Sequence, residues 1–155
     1  DQIGLFFDGA NAPAPLENSA LNQAVWKGDK KLVGDWKKLS EKNGIDTFVL
    51  VDPAIVFGVI ADQVRANREN GDLTGITIGF RPGDKVTADS QDELVALLQK
   101  NIETFTGVTA VIPKANAKSR LFDYDQLVIT VAPGFADAVE VSIAPAATKA
   151  VAQKD

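Results

Sequence analysis

"SQDELVALLQKNIETF", residues 90–105, is the segment from which the fold is read. Ser90 and Glu93 stand three positions apart, the spacing of a capping box, in which two side chains satisfy backbone N–H groups that a helix start leaves unpaired. Behind them Leu94, Leu97, Leu98 and Ile102 recur at helical spacing, which predicts a helix over 90–103 with one apolar stripe. Such a stripe must be buried against something, and the flanking sequence offers strands.

Upstream, "LTGITIGF" (73–80) alternates, with Ile76, Ile78 and Phe80 on one face. "RPGD" (81–84) then supplies a Pro-Gly turn into "KVTA" (85–88), a hairpin signal. Downstream, "GVTAVIP" (107–113) reads as a strand burying Val108, Ala110 and Ile112. A polar loop "KANAKSR" leads to "DQLVITV" (125–131), the turn "APGFAD", and "AVEVSI" (138–143). The order over 71–145 is strand, strand, helix, strand, strand, strand. It predicts an α+β fold, with 74–80, 85–88, 107–112, 125–131 and 138–143 in one antiparallel sheet and the 90–103 helix packed on one face.

Residues 1–70 read as a more helical half of the same domain, which spans 1–145. "IGLFF" (3–7) is a short strand halted by the loop "DGANAPAP", whose Pro13 and Pro15 cannot donate to a ladder. From Asn18 to Asn43 the residues Leu21, Val25, Leu32, Trp36 and Leu39 fall near helical spacing, Gly28 and Gly34 weaken that helix, and "NG" at 43–44 serves as its C-cap. "IDTFVLV" (45–51) is a central strand. "DPAIVFGVIADQVRANREN" (52–70) fits a second helix, with Asp52 as N-cap, Pro53 at its first position, and Val56, Val59, Ile60, Gln63 and Val64 along one face. The tail "APAATKAVAQKD" has no periodicity, and 146–155 read as a flexible C-terminal arm.

A net charge of −5 argues against a general nucleic-acid binder, and the longest apolar run, "AIVFGVIA" (54–61), is too short to cross a bilayer as a helix. Neither nucleic acid nor membrane is therefore an expected partner. With no His and no Cys, the chain has no Ser-His-Asp or Cys-His machinery of its own and lacks the commonest zinc ligands. Chemistry would have to run on carboxylates, Lys, Tyr124 or a carboxylate-held metal.

Three groups of residues are candidates for such chemistry. "LFFDGAN" (5–11) resembles the first-strand motif of the NYN, or PIN-like, ribonucleases. That resemblance implies Asp8 as a ligand to a divalent metal for phosphodiester cleavage, with Asn11 beside it. The family needs further acids at later strand ends. Here Asp52 is occupied as a helix cap, and the later strands end in Arg81, Pro113 and Ala132, so Asp8 is read as starting a turn. Lys27, Lys30, Lys31, Lys37, Lys38 and Lys42 interleave with Trp26 and Trp36, a pattern able to hold phosphates and stack bases. Asp29, Asp35 and Glu41 break the run, which favours a solvated helix face with ion pairs. "FDYD" (122–125) sets Asp123, Tyr124 and Asp125 together. It could form a Ca²⁺-binding loop, but it lacks EF-hand spacing and reads as turn chemistry. No catalytic, cofactor-binding or metal residue is assigned, no cofactor is expected, and the chain is read as not an enzyme.

The run from "ITIGF" through "KVTADSQDELVALLQKNIETFTGVTAVIP" to "DQLVITVAPGFADAVEVSI" is similar to modules of bacteriophage tail and other virion proteins and of flagellar filament proteins. Ser90, Glu93, Leu94, Val95, Leu98, Gly107–Ala110 and Leu127–Thr130 carry the likeness over about half the chain. It implies a multi-copy structural protein of a phage virion, at the capsid surface or in the tail. Its partners would be copies of itself and other virion or filament subunits, and its location the virion or an extracellular filament. No binding or catalytic residue comes with the likeness. The alternatives are the metal-dependent ribonuclease and an extracellular filament or surface binding module.

Overall fold

The computed structural model describes residues 36–51, 55–69, 72–124 and 127–145. Among them, nine strands and one long helix form an α+β fold, as the sequence predicts. The strands are β1 (Trp36–Lys42), β2 (Ile45–Leu50), β3 (Ile55–Val56), β4 (Val59–Ile60), β5 (Gln63–Glu69), β6 (Asp72–Phe80), β7 (Arg120–Tyr124), β8 (Leu127–Pro133) and β9 (Val139–Pro145). The helix α1 spans Gln91–Thr106. Seven strands make one sheet in the order β1-β2-β5-β6-β9-β8-β7, and every neighbouring pair is antiparallel.

Period-two alternation decides which face is buried. One row of paired residues crosses the sheet as Phe48, Ala66, Ile76, Ile143, Ile129 and Phe122. A second runs Val64, Ile78, Val141 and Val131. Apart from half-buried Phe48, all of these side chains are almost fully buried. The opposite face carries Arg65, Thr77, Ser142 and Thr130 in one row, and Gln63, Gly79, Glu140 and Ala132 in the next.

Helix α1 lies over β8 and β9 on the apolar face. Its start is capped by the two predicted residues, with the Glu93 bond falling one residue ahead of the N-cap. Ser90 Oγ accepts from the Glu93 N–H at 3.1 Å, while Glu93 Oε1 accepts from the Asp89 N–H at 2.8 Å. Gly107, left-handed at φ 74°, closes the helix by donating its N–H to Glu103 O at 2.8 Å. The buried stripe is Leu94, Val95, Leu98 and Ile102; Leu97, expected in it, packs at its margin. Ser90→Ala is expected to cost about 1 kcal/mol of stability, read by urea unfolding, because one helix-start N–H loses its acceptor.

The β3–β4 hairpin covers the flank of the helix with Val56, Phe57 and Val59, all buried. Asn101 Nδ2 donates to Phe57 O at 2.8 Å, and the rings of Phe57 and Phe105 meet edge-on at 5.5 Å.

Several expected elements are different. Residues 36–42 are strand β1, not the end of a helix. Asn43 and Gly44, with φ 56° and 80°, form the two-residue turn into β2 rather than a C-cap. The second expected helix is instead the β3–β4 hairpin followed by β5. Asp52, Pro53 and Ala54 lie outside the described residues, as do 1–35 and the expected arm at 146–155. Where 1–70 is described, the two expected helices are thus corrected to strands, while 45–51, expected as a strand, is β2. In place of a strand at 85–88 there is a 3-10 turn at Asp84–Val86, closed by the Gly83 N–H on Ala88 O at 2.7 Å. The stretch 107–112 is not a strand either. Only Val111 is hydrogen-bonded to the sheet, exchanging two backbone bonds with Leu121; Val108 and Ala110 are half-buried and Ile112 is exposed rather than buried. The strand that stands there is β7, read from sequence as loop. Strands β6, β8 and β9 fall where predicted within a residue or two.

Candidate functional site

The groups singled out in the sequence do not converge among the described residues. Asp8, Asn11, Trp26, Lys27, Lys30 and Lys31 all fall in 1–35, outside the description, and so does Asp125. Lys37, Lys38 and Lys42 stand exposed on β1, and Trp36 is half-buried at its start. Lys38 is held by Glu41 at 3.3 Å and Asp46 at 3.5 Å, so the expected ion pairing is present here but on strands and not on a helix face. Desolvation works against the Lys38 charge, but the hydrogen bonds and charges of Glu41 and Asp46 together outweigh it and raise the pKa above the ordinary lysine value. Asp123 and Tyr124 belong to strand β7, not to a loop, so successive side chains point to opposite faces. No cluster of three or more acids that could hold a metal occurs among the described residues.

The residues that do come together lie at one end of the sheet, where β5 begins, β6 ends, β8 ends and β9 begins. The pairs Gln63–Gly79, Phe80–Val139 and Pro133–Val139 bring these four termini side by side. Arg81, the first residue after β6, joins them. Its Nε sits 3.4 Å from Asp62 Oδ2 and its Nη1 3.0 Å from Asp137 Oδ1. One guanidinium thus ties the start of β5 to the β8–β9 turn.

That turn is held from several sides. The Gly134 N–H donates to Ala138 O at 2.8 Å, and the Ala138 N–H to Phe135 O at 3.1 Å. From the first turn of α1, Gln91 Nε2 donates to Ala138 O at 2.8 Å and lies 3.4 and 3.5 Å from the carbonyl oxygens of Ala136 and Gly134. Ala136 is left-handed, at φ 60°. The result is an anchored turn whose apex side chain, Phe135, is 91% exposed.

Beside it opens a cavity of about 780 Å³. Ile60, Ala61, Pro82 and Val86 give it apolar walls, and Asp62, Arg81, Asp84 and Lys85 a charged rim of both signs. A smaller hollow of about 480 Å³ lies between the β3–β4 turn and α1, lined by Phe57, Gly58, Lys100, Asn101, Thr104 and Phe105. The sequence reading treated "RPGD" and "APGFAD" as turns alone. The signal it passed over was a bulky aromatic, Phe135, at a turn apex with nothing local to pack on.

Further apolar side chains are exposed near the two edges of the sheet. Leu39 and Ile45 lie on the β1 side, Leu39 in the interval where the β1–β2 register shifts. Val111 and Ile112 lie beside β7, 58% and 53% exposed. No helix among the described residues is long and apolar enough to cross a membrane. Comparison with protein-family models, with curated proteins and with solved structures finds no match to this chain.

Proposed function

We propose that this chain is a structural subunit of a bacteriophage virion, at the capsid surface or in the tail, present in many copies and working through subunit packing. The observation that carries the reading is apolar surface on ordered backbone near both sheet edges: Leu39 and Ile45 at one, Val111 and Ile112 at the other. Leu39 and Ile45 sit on paired strands and Val111 is bridged to Leu121, so covering these side chains costs little conformational entropy. Two different apolar edges suit side-by-side repetition, in which one edge meets the other edge of a neighbour. Modest contacts of that kind gain strength from the number of copies. Support for a virion in particular comes from the resemblance of the 76–143 run to virion and filament modules.

Light scattering and electron microscopy of the protein in its native source test the proposal. The expected result is incorporation into particles, tails or filaments, with Val111→Asp or Leu39→Asp reducing it. A chain found only as free monomer would overturn it. In this reading the protein has no catalytic role. RNA incubated with it and Mg²⁺ or Mn²⁺ is expected to stay intact, and metal-dependent cleavage abolished by Asp8→Ala would replace the proposal with the nuclease.

A further inference from the structure

We propose that two copies of the chain associate end to end about a two-fold axis, with Phe135 of each entering the cavity beside Arg81 of the other. The inference deepens the packing proposal by naming one contact, but it stands on different residues from the sheet edges and does not need a virion.

Three observations carry it. First, Phe135 is 91% exposed at the apex of a turn fixed by Gln91, by the Arg81–Asp137 pair and by its own backbone hydrogen bonds. An aromatic side chain with two rotatable bonds on a pre-ordered turn is an efficient anchor, because little freedom remains to be lost on docking. Second, the cavity of about 780 Å³ has room for a phenyl ring, and Ile60, Pro82 and Val86 give it apolar walls. Third, knob and hole belong to the same patch. Arg81 lines the cavity and also pairs with Asp137, two residues beyond Phe135. An isologous contact demands that both halves of the fit lie on one surface, whereas a knob and hole on opposite ends would build an open chain.

The rim fits a self-pairing surface as well. Arg81 and Lys85 are interspersed with Asp62, Asp84 and Asp137, so no single sign of charge repels a second copy. With one aromatic anchor per copy, a dimer Kd of about 10–100 μM is expected.

Sedimentation velocity over a concentration series tests the inference with the full chain. Wild type should shift from monomer to dimer, and Phe135→Ser should raise the dimer Kd at least about 100-fold, since each dimer loses two anchors. Its unfolding curve should not move, because Phe135 contributes nothing to the core. Ala61→Trp, which fills the cavity while leaving Phe135 in place, should abolish the dimer, and an equimolar mixture with Phe135→Ser should recover some association through the one intact knob and hole. A wild-type chain that stays monomeric to about 0.5 mM, or a dimer indifferent to Phe135→Ser, overturns the inference. Association lost in Val111→Asp but retained in Phe135→Ser would do so while leaving the edge-packing proposal standing.

Discussion

Phe80→Ala is expected to destabilise the protein by about 3–5 kcal/mol, seen as a fall in the urea midpoint with an unchanged slope. Phe80 ends β6 fully buried, opposite Val139 of β9. Strand β6 is flanked on both sides by ladders to β5 and β9, so its backbone cannot move in to fill the space a phenyl ring leaves. The cost is then the lost transfer of the ring plus most of the cavity. Phe135→Ala removes the same atoms from a side chain that is 91% exposed and should change stability by less than about 0.5 kcal/mol. Equal losses at the two positions would contradict the division of this molecule into core and contact surface.

Thr77→Pro is the second large effect, with an expected loss of about 3 kcal/mol or more and a shift toward unfolded or aggregated protein. Thr77 pairs with Arg65 of β5 on one side and Ser142 of β9 on the other. Its N–H therefore serves a ladder whichever way it points, and proline supplies none. Thr77→Val keeps the N–H and the branched Cβ on the polar face, so it should change little and shows that the side chain is not what matters. Circular dichroism with denaturant unfolding reads both variants. A proline tolerated at 77 would mean that β6 is not interior to the sheet.

These two expectations rest on the part of the fold that is legible in the sequence. The capping box at Ser90 and Glu93, the stripe behind it, and the alternation of Ile76, Ile78 and Phe80 are strong local signals that agree with the tertiary structure. The miss in the first half has a physical cause. In "QVRANRE" (63–69) Val64 and Ala66 alternate with Gln63, Arg65 and Asn67, but Gln, Arg, Ala and Glu are also good helix formers, and an Asp-Pro upstream is a helix-start signal in sequence. What decides the matter is pairing with β2 and β6, which no single segment announces. Asn-Gly was the available signal. It joins β1 to β2 at 43–44, and the same dipeptide stands at 70–71 between Glu69 and Asp72, which pair directly. At 43–44, read as a helix end, it is a hairpin turn. Strand β7 was hidden for another reason: "RLFDY" carries charge at both Arg120 and Asp123 and buries only Phe122 fully.

The candidate site was less legible than the fold, because it is assembled from turns far apart in the chain. Arg81, Asp62, Asp137 and Gln91 share no motif, and only the meeting of four strand ends makes neighbours of them. Phe135 is conspicuous only once its surroundings are known to be solvent.

The place of β9 between β6 and β8 has a consequence for biosynthesis. On the ribosome, β1, β2, β5 and β6 emerge early and can zip by successive hairpins, but the free edge of β6 must wait for a partner made much later, after α1, β7 and β8. Until Val139–Pro145 leaves the exit tunnel, a nascent chain presents an unpaired edge on the strand bearing Ile76, Ile78 and Phe80, an invitation to pair with another nascent chain on the same message. Pairings this distant in sequence also close slowly. The window of vulnerability is therefore set by translation speed between residues 80 and 145, and slow codons or a stalled ribosome there should raise the yield of insoluble protein without altering a single contact in the finished fold.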